Sequence, residues 1–334
     1  MRAWILEQPK PIAEQPLRLV ELPLPEPRTG EVRLRILCCA MCRTDLHIVE
    51  GEIPLPKLPI IPGHQVVAVV DESGPHVSRL RVGDRVGVPW LFGTCGRCDY
   101  CRSARENLCD SGQFTGQHVN GGYAEYMIAR AKFVYPIPAG YDELHAAPLL
   151  CSGVIGYRAL KLTTLPHGGK LGLYGFGSSA HVTIQVARHF GAACYVITRG
   201  TAGQEHALKL GAVWASGPDD TPPVLLDGVI IFAAAGELVP RALTHVRKGG
   251  VVTCAGIHMS PIPAFPYDIL SGERTIRSVA NSTRDDVREL LATAAEMNLQ
   301  PDVTVFDFEH LNDHLLALEQ GRFVGTGVIR IADA

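Results

Sequence analysis

The 334-residue sequence predicts an α/β protein of two domains, an irregular, mostly β first half followed by a doubly wound parallel sheet. Three observations carry this reading. The length exceeds what one compact core accommodates. Up to about residue 150, short β-rich runs sit between prolines and turn signals such as "PRTG", "SGP" and "VGD". From about residue 154, short apolar runs alternate with helix-length segments, the rhythm of βαβ units.

In the first half the strand candidates are "EVRLRILCCA" (31–40), "HQVVAVVDES" (64–73) and "DRVGVPW" (84–90). In the second, "GKLGLYG" (169–175) leads into "SSAHVTIQVARHFGA", and "ACYVITR" (193–199) into "GQEHALKLGA". "DGVIIFAAA" (227–235) precedes the helical "ELVPRALTHVRKGG", and "VVTCAG" (251–256) and "TIRSVAN" (275–281) complete the sheet. The chain then returns with a helical "TRDDVRELLATAAEMN" and a final strand, "GVIRIADA". The expected division is 1–153 with 282–334, and 154–281.

The net charge of −3, with both signs interspersed, gives no electrostatic footprint for nucleic acid or an acidic membrane. No run of eighteen apolar residues suits a membrane span. "MRAWILEQPKPIAEQPLRLVEL" reaches charge and proline too early for a signal peptide, so a cytoplasmic protein is expected. In a reducing compartment the ten cysteines are expected as ligands, catalysts or core thiols rather than disulfides.

"YGFGSSAHVTIQVA" sets Gly175, Gly177, Ser178, Ser179 and Ala180 between a strand and a helix as G-x-G-x-x-A, the dinucleotide fingerprint of a Rossmann domain. Gly175 permits the tight turn, Gly177 lets backbone approach a pyrophosphate, and Ala180 lets helix and strand pack closely. The helix start offers free N–H groups and a positive dipole end. The next strand ends in Thr198 and Arg199 where NAD-binding domains carry an acid for the adenosine ribose. A hydroxyl followed by a guanidinium suits a 2′-phosphate, so NADP is expected over NAD, the alternative being an Arg199 that stacks on adenine or faces solvent.

"TCGRCDYCRSARENLCD" spaces Cys95, Cys98, Cys101 and Cys109 as C-x2-C-x2-C-x7-C, matching a closed tetrathiolate zinc site in a lobe at about 91–112, against the alternative of free thiols. Such a site holds a loop and has no open position for chemistry. Cys38, Cys39, Cys194 and Cys254 lie in apolar strand-like runs and are expected in the core. A scattered set remains: Cys42, Thr44, Asp45 and His47 in "CCAMCRTDLH", His64 in "IPGHQ" and Cys151 in "PLLCSGVIGYRAL", each compatible with simple packing or solvation.

Taken together, "CRTDLH", "PGHQ", "GDRVGVPW", the four-cysteine lobe, "GGYAEY", "LLCSG" and "GFGSSA" resemble, in order and approximate spacing, the zinc-dependent alcohol dehydrogenases of the medium-chain dehydrogenase/reductase family. The resemblance covers essentially the whole chain. It implies a GroES-like catalytic domain beside the Rossmann coenzyme domain, and two zinc ions per subunit. Cys42, His64 and Cys151 are then the protein ligands of a catalytic zinc whose fourth position is open. Asp45 matches the carboxylate behind the zinc-bound histidine, Thr44 the hydroxyl that touches the substrate oxygen, and His47 the outer end of a proton relay. Arg43 falls where members place a basic residue on the pyrophosphate.

The resemblance further implies Trp90 and Leu91 in an apolar substrate pocket, and Ile155 against the nicotinamide held in the cleft between the domains. Ile257 of "AGIHM" and Ala280 of "SVANSTR" would line the cofactor's far side. The expected substrate is a small primary, secondary or aromatic alcohol, or the matching aldehyde or ketone. The expected assembly is a homodimer or homotetramer paired through the last Rossmann strand. Gln65 departs from the family, which usually reads G-H-E; a neutral amide removes one negative charge from near the metal. Three rival readings are separable. A zinc-free reductase would lack both cysteine sets, and a polyol dehydrogenase commonly carries a glutamate where Cys151 stands. A non-catalytic zinc protein with a nucleotide-sensing domain would need neither Thr44 nor His47.

Overall fold

The structure, a computed structural model, describes residues 1–333. They form two compact units, one of 1–151, 281–295 and 301–333, the other of Ser152–Ala280 and Glu296–Gln300. Among the described residues no helix is long and apolar enough to cross a membrane.

The first unit is built on the strand Glu31–Ala40, paired antiparallel with Gln65–Ser73, Tyr126–Arg130 and Thr326–Arg330. Its burial alternates over the first half and becomes continuous from Ile36, as a strand does when it passes from a sheet with one wet face into an interior. The register slips between Ile36 and Cys38, a bulge that falls near the end of the strand, shortly before the helix Arg43–Val49. Cys38 and Cys39 are fully buried there, and burial pushes both thiols well up. The run 84–90 is a strand only over Arg85–Val88, because Pro89 cannot continue the ladder.

The second unit carries six parallel strands in the order Trp214–Ser216, Ala193–Ile197, Lys170–Tyr174, Leu226–Ile231, Val246–Cys254 and Thr275–Ser278. By position in the chain this is 3-2-1-4-5-6, the order of a dinucleotide-binding sheet. Period-two alternation feeds two cores. Leu171, Leu173 and Val196 pack with Ile184 and Ala187 of the helix Ser178–His189. Tyr174, Val229 and Ile231 pack with Val239, Ala242 and Leu243 of the helix Leu238–His245. Each large aliphatic side chain so buried contributes about 1.5–3 kcal/mol.

Three boundaries differ from the sequence reading. The helix Leu238–His245 stops before "VRKGG", and Val246–Cys254 is one strand, with Gly249 at φ 74° inside it. The short strand Trp214–Ser216 and the helix Ser152–Thr163 carry little periodicity of their own and take their form from the packing around them.

Candidate metal centre and coenzyme site

The helix Arg43–Val49 begins at Cys42, whose extended backbone (φ −146°) ends the preceding run. Cys42 N–H donates to Asp45 Oδ2 at 2.9 Å, so the first turn is closed by the same carboxylate that serves the site. His64 enters from "PGH". Gly63 has φ +93°, and a Cβ there would stand 2.8 Å from the Tyr123 backbone nitrogen, so glycine alone makes this turn. Cys151 follows the 3-10 turn Ala147–Leu150, whose residues are all buried.

These three distant segments bring Cys42 Sγ, one His64 nitrogen and Cys151 Sγ within 4.8 Å of one another. Cys42 Sγ lies 3.4 Å from His64 Nε2. A zinc tetrahedron with Zn–S about 2.3 Å and Zn–N about 2.0–2.1 Å has S···N edges of ~3.5 Å, so the donor set fits. His64 Nδ1 faces Asp45 Oδ1 at 3.0 Å, with both side chains wholly buried. That leaves Nε2 as the nitrogen facing the Cys42 sulfur.

The electrostatics suit a cation. Cys42 is held well below the usual thiol range, first by the Cys151 S–H and then, against burial, by His64. Burial pulls the His64 imidazole down, but Asp45 and Cys42 outweigh it and raise it to about 10. Burial raises Asp45 despite the imidazole beside it. The buried anions thus gather positive charge at the place a divalent ion takes, and metal binding there displaces protons.

Thr44 is buried in the first turn of the helix, and His47 lies one turn on, its side chain 16% exposed with Nδ1 engaged by Glu52. Arg43 Nη2 donates to the Glu319 carbonyl at 3.2 Å. The Trp90 ring stands 5.9 Å from that of His64 and 4.9 Å from that of Phe114, which in turn meets His118 at 5.4 Å. Leu91 is buried in the short strand that pairs with Phe114. Gln65 is fully buried opposite Ala40. Sequence reasoning does not single out Glu52, Tyr123, Phe114 or His118. Of these only Tyr123 falls within a motif, "GGYAEY", and burial followed by Asp45 pushes its phenol well up.

The second sulfur cluster also fits a tetrathiolate. Cys95, Cys98, Cys101 and Cys109 place their sulfurs within 4.8 Å of one another, with Cys95 Sγ 3.9 Å from Cys101 Sγ, against S···S edges of ~3.8 Å in a zinc tetrahedron. Backbone N–H groups aim at the sulfurs: Cys98 N–H donates to Cys95 Sγ at 3.3 Å and Cys95 N–H to Cys109 Sγ at 3.5 Å. The Arg97 and Cys98 N–H groups bring Cys95 down to about 6, which suits a thiolate. Of the remaining thiols, Cys194 is fully buried and pushed up to about 12 by burial, and Cys254 is half-buried.

In the other unit the fingerprint occupies the mouth of the parallel sheet. Gly175 has φ 88° and a Cβ there would meet Ala233 N at 2.9 Å. Gly177 caps the helix Ser178–His189, and no atom lies within 4 Å of where its Cβ would stand, so the backbone is open to an approaching phosphate. Ser178 Oγ donates to Ser152 Oγ at 2.8 Å, Ser179 lies in the first turn and Ala180 is fully buried. Thr198 and the exposed Arg199 follow the strand Ala193–Ile197. Ile257 follows Val246–Cys254 and Ala280 follows Thr275–Ser278. All therefore gather beyond the carboxyl ends of the strands, where such sheets bind ligands. Ile155 is half-buried in the helix Ser152–Thr163 of the same unit.

The chain matches the family model described as alcohol dehydrogenase GroES-like domain over residues 28–139, and that of zinc-binding dehydrogenase over residues 180–296. It is 43% identical to the probable alcohol dehydrogenase AdhA of Mycobacterium tuberculosis (strain CDC 1551 / Oshkosh), over 99% of this chain and 97% of the relative. It is 38% identical to an alcohol dehydrogenase of Geobacillus stearothermophilus, over 99% of this chain and 100% of the relative. Among solved structures it matches the cobalt- and zinc-bound thermostable alcohol dehydrogenase from Pyrobaculum aerophilum with TM-score 0.91 and 25% identity, over 99% of each chain.

Proposed function

Since the chain belongs to the zinc-dependent alcohol dehydrogenases of the medium-chain dehydrogenase/reductase family, we propose that Cys42, His64 and Cys151 hold its catalytic zinc and that Cys95, Cys98, Cys101 and Cys109 hold a second, structural one. The protein is an oxidoreductase that interconverts alcohols with aldehydes or ketones, using zinc and a nicotinamide coenzyme. The observation that carries the site assignment is the convergence of two sulfurs and one nitrogen from segments more than twenty and eighty residues apart.

When bound, the zinc supplies a Lewis acid that makes the alcohol hydroxyl more acidic, and the nicotinamide supplies the hydride acceptor. The chain's own residues do the rest. Asp45 fixes the tautomer and angle of His64. Thr44 would hold the proton of the substrate hydroxyl and His47 would release it to solvent, with the coenzyme, when bound, supplying a hydroxyl between the two. Glu52 occupies Nδ1 of His47, so the relay runs through Nε2. Trp90 and Leu91, with Phe114 extending the wall, keep the substrate side apolar and favour alkyl or aryl alcohols over sugars. Arg43, the Gly175–Ala180 turn, Ile155, Ile257 and Ala280 hold the coenzyme.

NADP is the preferred coenzyme, because a buried hydroxyl and an exposed guanidinium end the second strand where a carboxylate would repel the 2′-phosphate. The exposed edge strand Thr275–Ser278 pairs copies into a homodimer or homotetramer. A reducing, cytoplasmic setting suits the set of thiols. Steady-state kinetics on primary, secondary and aromatic alcohols with both coenzymes tests the reading. NADP efficiency should exceed that of NAD, and Arg199→Ala should cost about tenfold with NADP alone. Equal efficiency with NAD in the parent enzyme removes the coenzyme assignment.

A further inference from the structure

A third set of ligating side chains converges between the strand Val303–Phe306 and the helix Leu311–Glu319, apart from both sulfur sites. Asp307, His310 and His314 each bring one ligand atom within 4.8 Å of the others. Asp307 Oδ1 accepts the backbone N–H groups of Glu309 at 2.9 Å and His310 at 3.0 Å, which fixes the carboxylate before any ligand arrives. The same carboxylate faces both rings, with Oδ1 2.8 Å from His310 Nδ1 and Oδ2 3.4 Å from His314 Nε2.

The two histidines stand four residues apart at the start of one helix, the spacing that puts two imidazoles on one face. His314 is locked in place: its ring lies 4.6 Å from that of Phe306, which in turn meets Phe323 at 5.2 Å. Its Nε2 is shut off from solvent, and the one group it faces is Asp307 Oδ2, at a long 3.4 Å. A dry ring nitrogen held only loosely by a pinned carboxylate, with a second imidazole on the same carboxylate, is a donor set that a cation completes. The nearby Glu309 is engaged by Arg2 at 3.0 Å and stays out of the set.

We propose that Asp307, His310 and His314 form a third metal site, which takes one divalent transition-metal ion of the zinc class. Two imidazoles and one carboxylate match zinc, with water completing the tetrahedron, whereas magnesium and calcium prefer all-oxygen sets. An ion here ties the Asp307 bend to the first turn of the helix Leu311–Glu319. The far end of that helix is the one Arg43 reaches through the Glu319 carbonyl. The site is more exposed than the sulfur sites, so its ion exchanges with solution.

The test uses the intact holoprotein dialysed against zinc buffered at nanomolar and at micromolar free concentration, with metal per chain read by elemental analysis. The parent protein should gain one ion between the two conditions. His310→Gln, at a ring 63% exposed, and Asp307→Asn should not gain it, while their alcohol oxidation at nanomolar zinc stays at the parent level. The thermal midpoint should rise by a few degrees with micromolar zinc in the parent and stay put in both variants. No gain in the parent, or an equal gain in either variant, overturns the proposal.

Discussion

Asp45 sits behind His64 with its Oδ1 3.0 Å from the ring Nδ1, and neither side chain has any solvent exposure. The other oxygen of the same carboxylate accepts the Cys42 N–H at 2.9 Å. One buried anion thus orients two of the three side chains proposed to hold the catalytic zinc. Asp45→Asn should leave the fold and weaken zinc retention about 10–100-fold, read as faster loss of metal to a chelator. Retention equal to that of the parent would show the carboxylate to be a local cap and nothing more.

Cys98→Ser should remove one zinc per chain and lower the thermal midpoint, while the molecules that stay folded keep most of their kcat. The lobe holds its cluster through sulfurs and backbone N–H groups, and a hydroxyl does not replace a thiolate in a closed tetrahedron. Metal analysis of the variant decides it; an unchanged metal content refutes the tetrathiolate assignment.

Gln65 is buried directly after His64 and carries no charge. Gln65→Glu places an anion near the catalytic ion, which should raise the apparent pKa of alcohol oxidation and slow the reaction at neutral pH. A pH profile of kcat/KM is the measurement. A pKa that stays or falls goes against a charge effect at this position.

Glu106 tethers the four-cysteine lobe to the helix Arg284–Glu296: Oε1 receives both the backbone N–H and Nε of Arg284 at 3.0 Å. Burial opposes ionisation, yet these donors and the guanidinium pull the Glu106 carboxyl below its ordinary range. A depressed folded-state pKa gives stability that is present above the unfolded value of about 4.3 and is lost as pH falls through the lower folded value. Glu106→Gln should therefore be less stable than the parent by about 1 kcal/mol at pH 7, after screening at the half-exposed arginine, and the gap should close in strong acid. Denaturant midpoints at neutral and acid pH measure it, and a gap that widens in acid contradicts the sign.

Legibility in the sequence followed locality. The Gly175–Ala180 turn and the Cys95–Cys109 spacing are each written within a short segment, and the strand alternation around them announced the sheet. Cys42, His64 and Cys151 needed the family resemblance, because no spacing rule links residues that meet only after the strand Glu31–Ala40 bulges and Gly63 turns. Glu52, Phe114 and His118 acquire their relation to the site through tertiary contact alone, and nothing in their own neighbourhoods distinguishes them, whereas Tyr123 at least stands in the motif "GGYAEY". The Val246 strand start was hidden by "KGG", which reads locally as a turn and is a bulge, the ladder passing from Val246 opposite Leu226 to Val251 opposite Gly228. The triad in "DFEHLNDH" is compact, but on paper it is no different from a wet helix start until Nε2 of His314 is seen to be shut off from water.

The strand Thr326–Arg330 lies between Val303–Phe306 and Glu31–Ala40, with Val328, Ile329 and Arg330 opposite Ala40, Cys39 and Cys38. For folding this order matters. The segment that leads into Cys42 is separated from its ladder partner by the sequence of the entire second unit. Until that partner docks, the edge of Glu31–Ala40 carrying Cys38 and Cys39 lacks its neighbour, so closing the sheet there is a long-range and therefore slow contact.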